Sequence, residues 1–155
     1  MSDRNIERER YERFARRLRE EPAAAPADVF DTESEYLLPP YRRFAEQAGT
    51  VIRHDSSVLE IGAGTGALTG ILTGLSDQVV SLDISDTSLA VLRGRTAGRI
   101  DVVCGDMAAL PMCESSFDVV TSAGSLSYAD PEIVNQEVFR VLRPGGSLLV
   151  VDSLN

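Results

Sequence analysis

Two rhythms of apolar and polar positions divide the chain. Between residues 5 and 21, Ile6, Tyr11, Phe14 and Leu18 form a thin apolar stripe with Arg and Glu on the other faces, which predicts an amphipathic helix. A Pro/Ala tract at 22–27 follows as a linker. Thr32-Glu33-Ser34-Glu35 has the form of a capping box, so a short helix is expected from Thr32. Pro39-Pro40 interrupts it, and a second helix is expected over 40–48, since proline suits a first helical turn. From Ser57 the rhythm changes. Short, continuous apolar runs at 58–61, 79–83, 100–104, 117–122 and 147–152 alternate with helical stretches at 66–75, 86–97 and 131–142. Asp130 stands as the N-cap of the last helix and Pro131 at its first position. Residues 105–116 read as loop. Apolar strands separated by helices predict an α/β domain with a parallel sheet covered on both faces. The division expected is an N-terminal helical cap over 1–49 and a core over 50–155.

Composition narrows the picture modestly. The 155 residues fit one core, and 43% hydrophobic with 25% charged residues is ordinary for a globular protein. No apolar run is long enough to span a bilayer, and the charged opening Met1-Ser2-Asp3-Arg4-Asn5 does not resemble a signal peptide, so the cytoplasm is the expected compartment and no membrane partner is expected. A net charge of −9 opposes a nucleic-acid partner held through its phosphates. Cys104 and Cys113 have no metal-ligand spacing; Cys104 is expected in the core of the third strand. No metal site is expected.

Candidate chemistry gathers where the strands end. Val58-Leu59-Glu60-Ile61-Gly62-Ala63-Gly64-Thr65-Gly66 joins an apolar strand, a carboxylate, a glycine turn and a helix start. Glycines let a backbone turn sharply and leave no side chain between main chain and ligand. In open parallel sheets, ligands lie beyond the carboxyl ends of the strands. There the first strand carries Glu60 and Gly62-Ala63-Gly64, the second Asp83, the third Gly105-Asp106-Met107 and the fourth Ser122-Ala123-Gly124-Ser125. Asp83 follows the glycines by about 20 residues, the spacing of an acid that accepts from a ribose diol. Taken singly, each has a plainer reading: Glu60 in an ordinary strand-to-helix connection, Asp83 as a helix cap, Met107 as core filling.

Five segments together resemble the class I S-adenosylmethionine-dependent methyltransferases, in the small-molecule branch related to quinone-biosynthesis enzymes. They are residues 58–66, Leu82-Asp83-Ile84-Ser85, residues 105–111, Phe117-Asp118-Val119-Val120 and Leu142-Arg143-Pro144-Gly145-Gly146. The resemblance covers about residues 56–152. It implies a Rossmann-like, open, mostly parallel sheet with helices on both faces and strand order 3-2-1-4-5, lacking the family's last two strands. It also implies a cofactor, S-adenosylmethionine, with S-adenosylhomocysteine as product. Glu60 and the Gly62 main chain would hold the ammonium group, and Gly64 would give close approach beneath the methionine portion. Asp83 would bind the ribose diol and Ile84 would lie on the adenine. Asp106 would accept from its exocyclic amine, and Met107 would pack on the other ring face. Ala123 would lie beside the reactive methyl.

The acceptor expected is a small organic molecule. Tyr128 is placed near it or as a loop aromatic on the last helix; Tyr11 belongs to N-terminal helices that cover the site or pack on the sheet. No general base is evident; His54, the sole histidine, precedes the first strand and lies at the opposite end of the sheet. Two other readings stand beside this one. A nicotinamide-binding Rossmann domain is opposed by Glu60, awkward beside a pyrophosphate. A non-catalytic or incomplete binding domain is suggested by the chain stopping after the fifth strand, whose apolar edge Leu148-Leu149-Val150-Val151 then invites a second chain or a C-terminal continuation.

Overall fold

The computed structural model describes residues 38–151. The helix expected over 5–21, the capping box at Thr32 and the aromatic Tyr11 lie outside them. Helix α1 (Leu38–Val51) leads to β1 (Ser57–Ile61), and the short α2 (Thr69–Thr73) leads to β2 (Gln78–Asp83). Then come α3 (Asp86–Thr96), β3 (Asp101–Cys104), β4 (Phe117–Ala123), a 3₁₀ turn (Leu126–Tyr128), α4 (Pro131–Val141) and β5 (Leu142–Val151). The five strands are parallel, in the order β3-β2-β1-β4-β5. This is the Rossmann-like arrangement expected, with β1 at the centre where the order reverses.

Alternation along the inner strands assigns each residue to one of two cores. Leu59 and Ile61 join Leu82, Val120, Val134 and Val138 beneath α4. Val58 joins Val79 and Val119 with Phe44, Ala48 and Ile52 from α1 and its end, and Leu68 and Leu72 around α2. Both faces of β1 are therefore sealed from water, which is why its sequence is apolar at consecutive positions.

Local signals explain the starts of two helices. Ser85 caps α3, its side chain accepting from the Ser88 N–H, and Asp130 caps α4 by accepting from Glu132 and Ile133, with Pro131 in the first turn. The helix expected over 66–75 is shorter, only Thr69–Thr73. Gly66 has φ of +98°, outside the helical region, and Gly70 and Gly74 weaken the turns after it. Strand β5 differs in the other direction. It begins at Leu142 directly after α4, and between Phe117↔Leu142 and Val119↔Ser147 the pairing shifts register. The excursion through Arg143-Pro144-Gly145-Gly146 brings Arg143 to within 2.8 Å of Asp118, whose other oxygen accepts from the Ser57 N–H. Cys104 is exposed rather than in the core, because β3 is an edge strand.

The loop over 105–116 is fastened to α4 by one ion pair. Glu137 accepts from the Leu110 N–H at 2.6 Å and from Arg140, which also donates to the Leu110 and Met112 carbonyls at 2.9 and 2.7 Å. The Arg140 guanidinium beside Glu137 holds that carboxyl below the usual range. Arg140→Ala should therefore raise amide exchange at Leu110 and protease cleavage within 105–116 while exchange inside β1 stays unchanged. Equal protection of Leu110 in parent and variant would show that the buried Leu110 side chain alone holds the loop.

Candidate functional site

Glu60 lies at the meeting of three elements and is 1% exposed. Strand alternation turns it to the same face as Val58, toward α2. In the register it stands between Ser81 of β2 and Thr121 of β4, so a fully buried polar row crosses the middle of the sheet. Thr69 and Ser81 both donate to Glu60 Oε2 at 2.6 Å. Burial dominates its titration: desolvation raises the pKa from 4.5 to about 7, against the two hydroxyls, which lower it, and with Asp83 adding a smaller upward push. Sequence alone points to Glu60 but to neither hydroxyl. Ser81 and Thr121 are visible there only as polar interruptions of apolar strands.

The glycine turn is held from β2. The N–H groups of Gly62 and Ala63 both donate to the Leu82 carbonyl, at 2.8 and 3.0 Å. Asp83 Oδ2 accepts from the Gly64 N–H at 2.8 Å, and Oδ1 accepts from the Ser85 N–H at 2.8 Å. Asp83 thus ties the turn to the start of α3, where Ser85 is the cap; desolvation holds its carboxyl above the usual range despite those bonds. These N–H partners, with the Ile84 N–H as a further one, leave accepting capacity on a half-buried carboxylate. From outside, Arg95 Nη1 donates to the Thr65 carbonyl at 3.0 Å.

Two glycines have steric work in this turn. Gly62 has φ of +71°, and a Cβ there would lie 2.2 Å from Ser125 Oγ. Gly64 has φ of +54°, and a Cβ there would meet nothing within 4 Å, so its Cα faces open space.

The remaining predicted positions sit around this turn with different exposures. Ile84, next to Asp83, is 42% exposed, an aliphatic side chain left in water beside an acid. Asp106 is half-buried and accepts from the Ala108 N–H at 2.8 Å. Met107 is half-buried and packs against the core under α4, in keeping with its plainer reading. Ala123 packs on the α1 side, and Tyr128 ends the 3₁₀ turn, half-buried, its N–H on the Ser125 carbonyl at 3.2 Å. His54 is exposed and pairs with Asp77 at 3.2 Å, before β1 and away from this edge. A separate cleft of 540 Å³ between α2 and α3 is lined by Thr73, Asp77, Arg95 and neighbours and contains none of the positions named for the cofactor.

These residues fit a cation-bearing nucleoside. A buried carboxyl in β1, a half-buried one at the end of β2, an open glycine Cα and the exposed aliphatic Ile84 beside Asp83 would suit such a ligand better than a pyrophosphate. The chain belongs to the methyltransferase-domain family, which it matches over residues 59–150. Its sheet is that of the class I S-adenosylmethionine-dependent methyltransferases. It is 37% identical over 121 residues to the ubiquinone/menaquinone biosynthesis C-methyltransferase UbiE of Ectopseudomonas mendocina, covering 72% of this chain and 47% of that protein. The chain thus spans about half the length of that relative. Among solved structures, a glycopeptide N-methyltransferase complexed with sinefungin is 28% identical with a TM-score of 0.62, covering 72% of this chain and 53% of that one. Phosphoethanolamine N-methyltransferase 1 of Haemonchus contortus, bound to phosphoethanolamine and S-adenosylhomocysteine, shares the fold at a TM-score of 0.68 and 23% identity, over 94% of this chain and 32% of that chain. No helix among the described residues is long and apolar enough to cross a membrane.

The Glu60 carboxyl makes a test independent of ligand. Between an unfolded value near 4.5 and a folded value of about 7, the native state binds the proton more tightly than the unfolded state. Stability therefore falls as pH rises through that window, by on the order of 3 kcal/mol in full. Glu60→Gln, still able to accept from Thr69 and Ser81, should flatten this part of the profile and match or exceed the parent in urea at about pH 8. An unchanged slope would mean that the carboxyl is ionised in the fold throughout.

Proposed function

We propose that the chain binds S-adenosylmethionine and transfers its methyl group to a small organic acceptor, leaving S-adenosylhomocysteine. The observation that carries this is Asp83: a half-buried carboxylate at the end of β2 that fixes Gly64 by one oxygen and keeps accepting capacity next to the exposed Ile84. The family match and the named relatives support the reaction class.

Each residue then has a physical task. Asp83 accepts from the ribose diol, and Ile84 covers the adenine on one side. Met107 covers the other, and Asp106 accepts from the adenine amine. Glu60 and the Gly62 main chain face the ammonium group; a cation there favours the ionised carboxyl. Ala63 and Gly64 let the backbone approach the methionine portion, and Ala123 leaves room beside the methyl. The cofactor supplies a methyl already activated on a sulfonium. What the protein adds is orientation and exclusion of water, worth up to about 7–11 kcal/mol in the best-placed cases. Tyr128 faces the acceptor, and Tyr11, outside the described residues, is the second residue assigned to it.

A second reading has its own observation. Leu148 and Val150 of β5 are 37% and 43% exposed, on the same sheet face as Val120, which α4 covers. An apolar edge left in water favours a further strand there, from a continuation of the chain or from a second chain. On this reading the chain binds cofactor but turns over only once that edge is completed.

Calorimetric titration separates these readings. S-adenosylhomocysteine should bind saturably and NADH should not. Asp83→Ala should weaken binding at least about tenfold, the loss of charge-assisted hydrogen bonds, with Asp83→Asn as the control for the Gly64 bond. Binding without methyl transfer to quinone-like or amine acceptors would favour the incomplete domain. NADH binding in place of the homocysteine would overturn the proposal.

A further inference from the structure

We propose that Ser125, backed by Ser122, is the positioning residue that fixes the Ile61–Gly62 peptide unit and so the main chain against which the cofactor's methionine portion would lie; this rests on the function proposed above. The two hydroxyls are 2.6 Å apart, and Ser125 Oγ is 3.0 Å from the Ile61 carbonyl. A serine hydroxyl has one hydrogen. Ser125 spends its own on Ile61, so Ser122 must donate to Ser125, and the chain of bonds runs Ser122 to Ser125 to the end of β1. Ser122 is fully buried and Ser125 8% exposed, so neither bond is exchanged freely for water.

The location gives these bonds their effect. The β1–β4 ladder ends at Ile61↔Ser122, and past it the two strands part at the point where strand order reverses. Gly124, at φ of +66°, turns the chain back and brings the Ser125 hydroxyl onto the Ile61 carbonyl as a side-chain donor at the end of the ladder. The same peptide unit is held on its other side by the Gly62 N–H on the Leu82 carbonyl at 2.8 Å. One plane is thus clamped between β4 and β2. Sterics close the arrangement: Ser125 Oγ and Cβ occupy the space that any side chain at Gly62 would need, at 2.2 and 2.3 Å from its Cβ position. Ser125 has its hydrogen committed and no described base beside it, so its task is placement and not proton transfer.

Amide hydrogen exchange read residue by residue tests the placement without any ligand. Ser125→Ala should raise exchange at Gly62 and Ala63 about tenfold or more while the inner amides of β2 stay protected. Ser122→Ala, which leaves the Ser125–Ile61 bond, should change them far less. In the same variants, affinity for S-adenosylhomocysteine should fall about fivefold to tenfold for Ser125→Ala and hardly at all for Ser122→Ala. Unchanged exchange at Gly62 in Ser125→Ala overturns the proposal whatever the ligand does. Equal losses in both variants, tracking a common drop in unfolding temperature, overturn it too, since that is a general loss of packing. If exchange responds as expected and no variant or parent binds S-adenosylhomocysteine, the positioning role stands and the proposed cofactor falls.

Discussion

The carboxyl of Glu60 is the constraint around which the rest of the site is arranged. Putting an ionisable group in the middle strand of a parallel sheet costs free energy that hydrogen bonds recover only in part. Thr69 and Ser81 both aim at the same oxygen, yet desolvation still outweighs them and holds the pKa near neutrality. A valine would suit the position better as core, since Val58 and Val79 on the same face are simply buried. The hydroxyls at Thr69 and Ser81 are then understood as consequences: one is at the start of α2, the other directly across the ladder, and neither has another reason to interrupt an apolar surface.

Asp83 completes the electrostatics. It sits one strand over and two residues further on from Ser81, so it reaches the turn while Glu60 stays beneath it. Both carboxyls are raised by burial, and Asp83 pushes Glu60 further. Two acids in this state repel an added phosphate and favour a positive group that lets both ionise. The nicotinamide alternative would need a pyrophosphate at the glycine turn, where the local field is of the wrong sign. The same field is matched by an ammonium and a sulfonium.

The sheet was legible because burial on both faces leaves a mark that survives without neighbours: β1, β2 and β4 start within one residue of the apolar runs and end within one. What failed depended on tertiary partners. Arg143-Pro144-Gly145-Gly146 lies between the last predicted helix and the last apolar run, yet β5 runs through it, because Leu142 and Ser147 on either side pair with β4 and Arg143 meets Asp118. Helix α2 keeps the apolar positions Leu68 and Leu72 of a longer helix, but glycines at 66, 70 and 74 leave it a single turn and a half. Cys104 looked interior because its strand is apolar, although the expected order 3-2-1-4-5 already puts that strand at an edge, where the side chain is exposed. Of the candidate site, the acids and glycines carried recognisable spacing. Their serine and threonine partners did not, because a hydroxyl acquires its meaning only from what lies across the ladder.

Two halves of the site rest on different supports. Everything expected to hold the nucleoside and the amino-acid portion is braced within residues 57–125: the turn by Leu82 and Asp83, Glu60 by Thr69 and Ser81, the end of β1 by Ser125. These are short-range bonds among strands already in register, so this half can form without help from outside. The side beyond β4 has no such closure. Helix α4 packs Val134 and Val138 over Leu59 and Val120 while Leu148 and Val150 stay 37% and 43% exposed, and Phe139 on the same helix is 80% exposed. On the proposed function, cofactor binding would rest on the buried polar bonds at the strand ends and not on the open face of β5.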